Sequence, residues 1–323
     1  MTRKQISKTR SRSLPAELPE SIKLPPIGSW QHDSAHSFDD DQRHAISAAW
    51  YADRPLLVRG EPGLGKSQIA RAIAASWQWR LVTTVIHGRT EVDDLLYTID
   101  YVERLADANA SVKGKIEVKD LADYVKHGPV WQALDGDSQS GWPEGGYGKK
   151  RKVQGEPGCI LLLDEIDKAQ SDVPNALLEV LNSKSFTVPQ TGQVVSAGAP
   201  LFIVVTANDQ RTLPAAFMRR CAVLDLDLGS DEAERFRQIA QAHSDAELLQ
   251  GIDADTIDEV AKCVAQYRKK VPEGYYQPGT SEMLDILHVI DRSDKLPDAD
   301  LEKCLTILSK FLLKKGFRTD EAD

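Results

Sequence analysis

Eight residues decide most of what this chain can fold into. Gly60-Glu61-Pro62-Gly63-Leu64-Gly65-Lys66-Ser67 fits the phosphate-binding pattern G-x-x-x-x-G-K-[ST] at every position. Before it, Pro55-Leu56-Leu57-Val58-Arg59 reads as a short buried strand, and after it Gln68 to Ala75 reads as a helix of good helix formers. Strand, glycine turn and helix are the context the motif needs. There the backbone N–H groups of residues 62 to 67 face one concavity, and the helix N-terminus adds partial positive charge, so a polyphosphate is held by groups that need no reorganisation. Lys66 is expected to reach the β and γ phosphates of ATP, and the Ser67 hydroxyl to ligate Mg²⁺. The whole stretch Gly60 to Ser67, with Ile69 behind it on the helix, is the expected nucleotide-binding segment.

A second stretch supplies what a phosphate loop alone lacks. Cys159-Ile160-Leu161-Leu162-Leu163-Asp164-Glu165-Ile166-Asp167 is an apolar strand ending in acids. Burial of the strand fixes the acids that follow it. Asp164 is placed to hold the hydration shell of the Mg²⁺ at Ser67, and Glu165 to orient and deprotonate a water aimed at the γ phosphate. Asp167 reads as a helix-capping or surface acid. Leu201-Phe202-Ile203-Val204-Val205-Thr206 is another buried strand, expected between the first two, which would bring Asn208 to the same water or phosphate. His87 and Arg89, after the strand Arg80 to Ile86, are candidates to restrain Glu165. Pro214 to Arg220 reads as a short helix whose Arg219 and Arg220 lie too far from their own phosphate loop to serve it, but can enter a neighbour's site as a finger.

Continuous apolar runs separated by helices argue for a parallel sheet covered on both faces. The runs are 55–59, 80–86, 158–164, 201–206 and 222–226. Ser185 to Val188 and Gln193 to Ser196 flank a turn and read as a hairpin. Beyond Gly229 the pattern becomes helical over 232–244, 254–268, 280–290 and 301–315. The expected organisation is a flexible basic arm over 1–35, an α/β core over 36–229 with an elaborated connection at about 88–157, a helical domain over 230–318 and an acidic tail over 319–323.

The combination GEPGLGKS, ILLLDEID, VVTAND and LPAAFMRR resembles the AAA+ ATPases, and more narrowly the MoxR-like branch with its LLVRGEPGLGKS opening and the GPVWQAL segment at Gly128 to Leu134. The resemblance covers about residues 38 to 315. It implies a P-loop core with a five-stranded parallel sheet of order 5-1-4-3-2, a C-terminal helical lid, and action as a ring, usually a hexamer. Carried onto this sequence, Gly60 to Ser67 is Walker A, Asp164 and Glu165 are Walker B, Asn208 is sensor 1, and Arg220, with Arg219 beside it, matches the finger. In Gly279-Thr280-Ser281-Glu282-Met283, Met283 stands where the family carries its sensor 2 arginine. MoxR-like proteins resemble remodelling chaperones that often work with a von Willebrand factor A domain protein, and related ATPases drive restriction or anti-phage complexes.

The formal charge of −9 argues against a surface generally coated by nucleic acid. One local exception is Lys149-Lys150-Arg151-Lys152, beside Trp142 and Tyr147. The loop is read either as aromatic pore residues gripping a threaded polypeptide or as a contact for nucleic-acid phosphate. No apolar run has membrane-spanning length and no hydrophobic segment follows the polar N-terminus, so the cytoplasm is the expected compartment and no membrane partner is expected. Four cysteines without C-x-x-C spacing read as buried thiols. Three functions fit: a remodelling ATPase, a nucleic-acid translocase or defence motor, and a nucleotide-dependent scaffold with little turnover.

Overall fold

The computed structural model describes residues 13–112, 118–135, 158–208, 213–272, 275–292 and 301–313. In chain order the first elements are β1 (Ser21–Leu24), β2 (Ser34–Ser37), α1 (Asp40–Tyr51), β3 (Leu56–Arg59), α2 (Lys66–Trp77), β4 (Arg80–Val85), α3 (Val92–Leu96), β5 (Tyr97–Ile99), α4 (Tyr101–Val112), β6 (Val125–His127) and α5 (Pro129–Leu134). They are followed by β7 (Cys159–Asp164), α6 (Asp172–Ser183), β8 (Ser185–Val188), β9 (Gln193–Ser196), β10 (Leu201–Ala207), α7 (Ala215–Met218), β11 (Ala222–Asp225), α8 (Glu232–Asp245), α9 (Ala254–Lys270), α10 (Thr280–Arg292) and α11 (Leu301–Leu312).

Five strands form one parallel sheet in the order β11-β3-β10-β7-β4. Numbered by their place along the chain, this is the expected 5-1-4-3-2. β10 therefore lies between the strand leading into the phosphate loop and the strand carrying Asp164. Side chains alternate across the sheet as a doubly covered strand demands. Leu57, Leu161, Leu163, Ile203 and Val205 pack on one side, with α5, α6 and the β8–β9 hairpin. Leu56, Val58, Ile160, Leu162 and Val204 pack on the other, with α1 and α2. Helices α8 to α11 bury a separate apolar core around Phe236, Val260, Val264, Ile286 and Leu287.

Cys159, Cys221 and Cys304 are buried and Cys263 is partly so. Burial raises the Cys159 thiol to about 11 and the Cys221 thiol to about 12, so both stay protonated. Among the described residues no helix is long and apolar enough to cross a membrane.

Two expectations are corrected. The arm expected over 1–35 is held down from Ser13 onward. β1 pairs antiparallel with β2, the indole N–H groups of Trp50 and Trp77 donate to the carbonyls of Ser13 and Ala16, and the buried Arg71 guanidinium donates to the carbonyls of Leu24, Pro25 and His32. Fixing main-chain carbonyls needs no hydrophobic period, which is why the segment reads as featureless. The connection after β4, expected to be turn-rich apart from a short helix near Leu121, contains the three-turn helix α4, none of whose side chains is buried. The sequence 141–153, with the Trp142, Tyr147 and Lys149–Lys152 expectations, lies outside the described residues, as does 319–323.

Candidate active site

The site gathers at the C-terminal ends of β3, β7 and β10, where parallel strands hand over to loops. Gly60 leaves β3 at φ 149°, and a Cβ there would sit 2.3 Å from the Leu226 carbonyl oxygen at the end of β11, so no other residue fits. Gly65 caps α2 at φ 87° and offers that helix no side-chain cap. The helix N-terminus thus keeps its N–H groups and its partial charge directed at the loop. Glycine turn, uncapped helix and lysine together fit a polyphosphate.

Lys66 joins the loop to the sheet. Its Nζ donates to the carbonyls of Gly60 and Glu61 and to Oδ1 of Asn208, each at 2.8 Å. Asn208 is itself fixed from behind, because its N–H donates to Oδ1 of Asp167 at 3.1 Å. Asp167 is only 7% exposed, so the acid read as a cap or surface residue is an internal support for Asn208.

On the neighbouring strand the Ser67 hydroxyl donates to Oδ1 of Asp164 at 2.7 Å. A hydroxyl and a carboxylate at this spacing are hard oxygen donors that fit Mg²⁺ completed by water and phosphate oxygens. Thr206 supports the acids from β10. Its hydroxyl donates to the same Asp164 oxygen at 2.5 Å and accepts from the Glu165 N–H at 2.9 Å. That second bond holds Glu165 in a left-handed backbone (φ 61°), which costs a non-glycine residue roughly 1–2 kcal/mol. Thr206 is fully buried. A hydroxyl ending the otherwise apolar run Leu201–Val205 is the signal that would have found it.

The Glu165 carboxylate is held by Lys168, 2.6 Å away and one helical turn on, rather than by His87 or Arg89. Glu165 raises the Lys168 pKa through that bond. Both side chains are partly exposed, so the pair contributes about 1 kcal/mol or less and the carboxylate turns away from it cheaply. Ile69, counted with the nucleotide-binding stretch, is fully buried in the apolar core and serves to seat α2.

Arg219 and Arg220 are exposed. They precede β11, whose first residue, Ala222, pairs with Leu56 at the start of β3. They sit at the opposite end of the strands from the phosphate loop, and the structure does not bring them to the other site residues.

Beside the loop a cavity of about 100 Å³ opens between β2, α2 and the helical layer, lined by His36, Gln68, Leu228, Ile239, Thr280 and Leu284 among others. The Thr280 hydroxyl is buried there and has no hydrogen-bond partner among the described residues. Burial, with Arg235 and His243 nearby, lowers the His36 pKa to about 4 against the opposing bond to Gln42, so the ring is neutral at neutral pH.

Residues 55–221 match the family described as AAA domain (dynein-related subfamily). The chain belongs to this AAA family. It is similar to the chaperone protein ClpB of Enterococcus faecalis, with 28% identity over 160 residues, 48% of this chain and 14% of the chaperone. Similar solved structures include a candidate ATPase from Cytophaga hutchinsonii, 19% identical with a TM-score of 0.38, covering 70% of this chain and 57% of that one. A RuvB variant of Thermotoga maritima is 15% identical with a TM-score of 0.44, covering 85% and 69%. This AAA chain thus spans 14% of the length of its curated relative and 57% of the first of these structures.

Proposed function

We propose that the chain is a MoxR-like, Mg²⁺-dependent ATPase that assembles into a ring and converts hydrolysis into remodelling of a protein partner. The observation that carries the reading is a pair of bonded lines at one end of the sheet, Lys66 to Asn208 and Ser67 through Asp164 and Thr206 to Glu165. In this reading residues 36–229 form the ATPase core and 230–318 the lid. The loop amides and Lys66 bind the phosphates, and the nucleoside end enters the cavity lined by His36 and Thr280. Ser67 and Asp164 hold Mg²⁺, which neutralises charge on the phosphate oxygens. Glu165 turns from Lys168 to take a proton from the attacking water, while Asn208 orients that water. Arg220, with Arg219 beside it, reaches the site of the next chain in the ring.

AAA+ ATPases generally form rings, and the exposed arginines at the far end of the sheet support a site completed in trans. The client is a protein, with von Willebrand factor A domain proteins the class that the MoxR-like reading brings with it. The chaperone function named for the similar ClpB supports a protein client over a nucleic acid.

Two measurements test the reading. Sedimentation of the parent should give a ring-sized species with a non-hydrolysable ATP analogue and none without nucleotide. Binding of single- and double-stranded DNA and RNA at several salt concentrations should be weak. Submicromolar binding with a log K slope near −0.7 per phosphate against log salt, lost when Lys149, Lys150, Arg151 and Lys152 are all replaced by Ala, would put the nucleic-acid motor first. A parent that binds ATP and turns it over negligibly at every concentration would favour the scaffold.

A further inference from the structure

The lid presents Met283 where a cation is expected, and the structure removes that position from the site altogether. Met283 is fully buried in the core of the helical domain, against residues of the Phe236 and Ile286 cluster. An arginine there would place a guanidinium among apolar side chains. The helical domain nonetheless meets the phosphate loop closely. The Ser281 N–H donates to the Gly63 carbonyl at 3.3 Å, and a Cβ on Gly279 would come within 3.0 Å of the same oxygen.

A different cation of that domain reaches the loop. Arg268, near the C-terminal end of α9 with its side chain 9% exposed, donates through Nη2 to Oε2 of Glu61 at 2.9 Å. Its Nε donates to Oε1 of Glu232 at the start of α8 at 3.1 Å, and its Nη1 donates to the Pro278 carbonyl just before α10 at 2.6 Å. One planar guanidinium therefore ties α8, α9 and the approach to α10 to the second residue of the phosphate loop. A rigid fork can hold three directions at once, which a lysine ammonium on a flexible stem does less well. Glu61 is shared with the phosphate-binding lysine, since its carbonyl accepts from Lys66 while its carboxylate accepts from Arg268.

We infer that the Arg268–Glu61 pair is the joint through which the lid follows the phosphate loop, a coupling made by contact with the loop rather than with phosphate. When Lys66 shifts its donors from the loop carbonyls to a polyphosphate, Glu61 is released at its main chain. Arg268 carries that change to three elements of the lid together. Arg268 is thus a positioning residue, and the coupling belongs to the loop's two arrangements rather than to a bond with the nucleotide. The inference rests on the ATPase reading of the site and not on any client.

The test uses the full chain with Mg²⁺ and either ADP or a non-hydrolysable ATP analogue, reading amide hydrogen exchange over 278–286 alongside steady-state turnover. In the parent, exchange over this segment is expected to be slower with the analogue than with ADP. Glu61→Gln and Arg268→Gln are each expected to abolish that difference and to lower kcat at least tenfold, with analogue affinity within about threefold of the parent. The double variant should be no worse than either single, since both remove one unit. Arg268→Lys should recover part of the difference. Glu61→Gln keeps the Glu232 and Pro278 contacts, so it reports even if Arg268→Gln folds poorly. Retention of the parental exchange difference in Glu61→Gln, absence of a difference in the parent, or multiplying losses in the double variant would each overturn the inference. A parent that bound no nucleotide would overturn both this inference and the reading of the site beneath it.

Discussion

The Nζ of Lys66 lies 2.8 Å from Oδ1 of Asn208, a bond spanning 142 residues of sequence. It exists because β10 is inserted between β3 and β7, so that the residue after β10 emerges beside the phosphate loop instead of beside its neighbours in sequence. Lysine, amide and the buried Asp167 behind it form one line of support. The parallel line from Ser67 through Asp164 and Thr206 to Glu165 carries the acids.

Thr206 is the test of whether that second line matters to turnover. Thr206→Val keeps the shape but leaves the Glu165 N–H and one Asp164 bond unmade, a loss of about 1–3 kcal/mol for the buried groups. The expected outcome is a fall in kcat of roughly 10- to 100-fold with ATP affinity nearly unchanged, and substantial recovery in Thr206→Ser. Titration of ATP binding beside turnover checks it; equal losses in Val and Ser variants would mean that packing alone is at stake.

Arg219 and Arg220 lie at the opposite end of the strands from the phosphate loop of their own chain, which makes their proposed action in trans measurable. Arg220→Ala and Lys66→Ala are each expected to be inactive alone and to recover part of the parental rate when mixed, because one chain donates the site and the other the finger. ATP turnover in the parent should also rise faster than linearly with chain concentration. No recovery at any ratio of co-assembled variants would exclude Arg220 as the finger.

Acid should loosen the fold through His36. Its pKa is lowered from 6.5 to about 4 in the folded chain, so the unfolded chain binds the proton more readily. Stability from this group is complete above about pH 6.5 and is lost as pH falls from there toward 4. The lowered pKa of His243 acts in the same direction. The urea midpoint is therefore expected to be flat above pH 6.5 and to decline below it, with a shallower decline in His36→Gln. A midpoint that rose on acidification through this window would contradict the assignment.

How much of this was legible beforehand follows from which forces hold each part. The five sheet strands could be read because burial on both faces leaves uninterrupted apolar runs, and the α8 to α11 helices because each keeps an apolar stripe at helical spacing. The phosphate-loop residues and the acids ending β7, which the structure brings together, stood out because phosphate chemistry demands those side chains at that spacing. The segment from Ser13 to Ser37 could not, since Arg71, Trp50 and Trp77 grip its carbonyls, and carbonyls are the same in every residue. α4 escaped because no side chain of it is buried. Lys168, Asp167 and Arg268 were invisible for another reason. A charged residue in sequence looks the same whether it is solvated or, like Arg268, nearly enclosed between two carboxylates.

The central claim is that Glu165, set in its left-handed backbone beside Asp164, is the base for hydrolysis. The direct test is the ATP turnover of Glu165→Gln at saturating ATP and Mg²⁺, with equilibrium binding of labelled ATP measured on the same sample. Loss of a group used only in the transition state predicts binding within about threefold of the parent and turnover lower by about 10²-fold or more. Turnover at the parental rate would contradict the account.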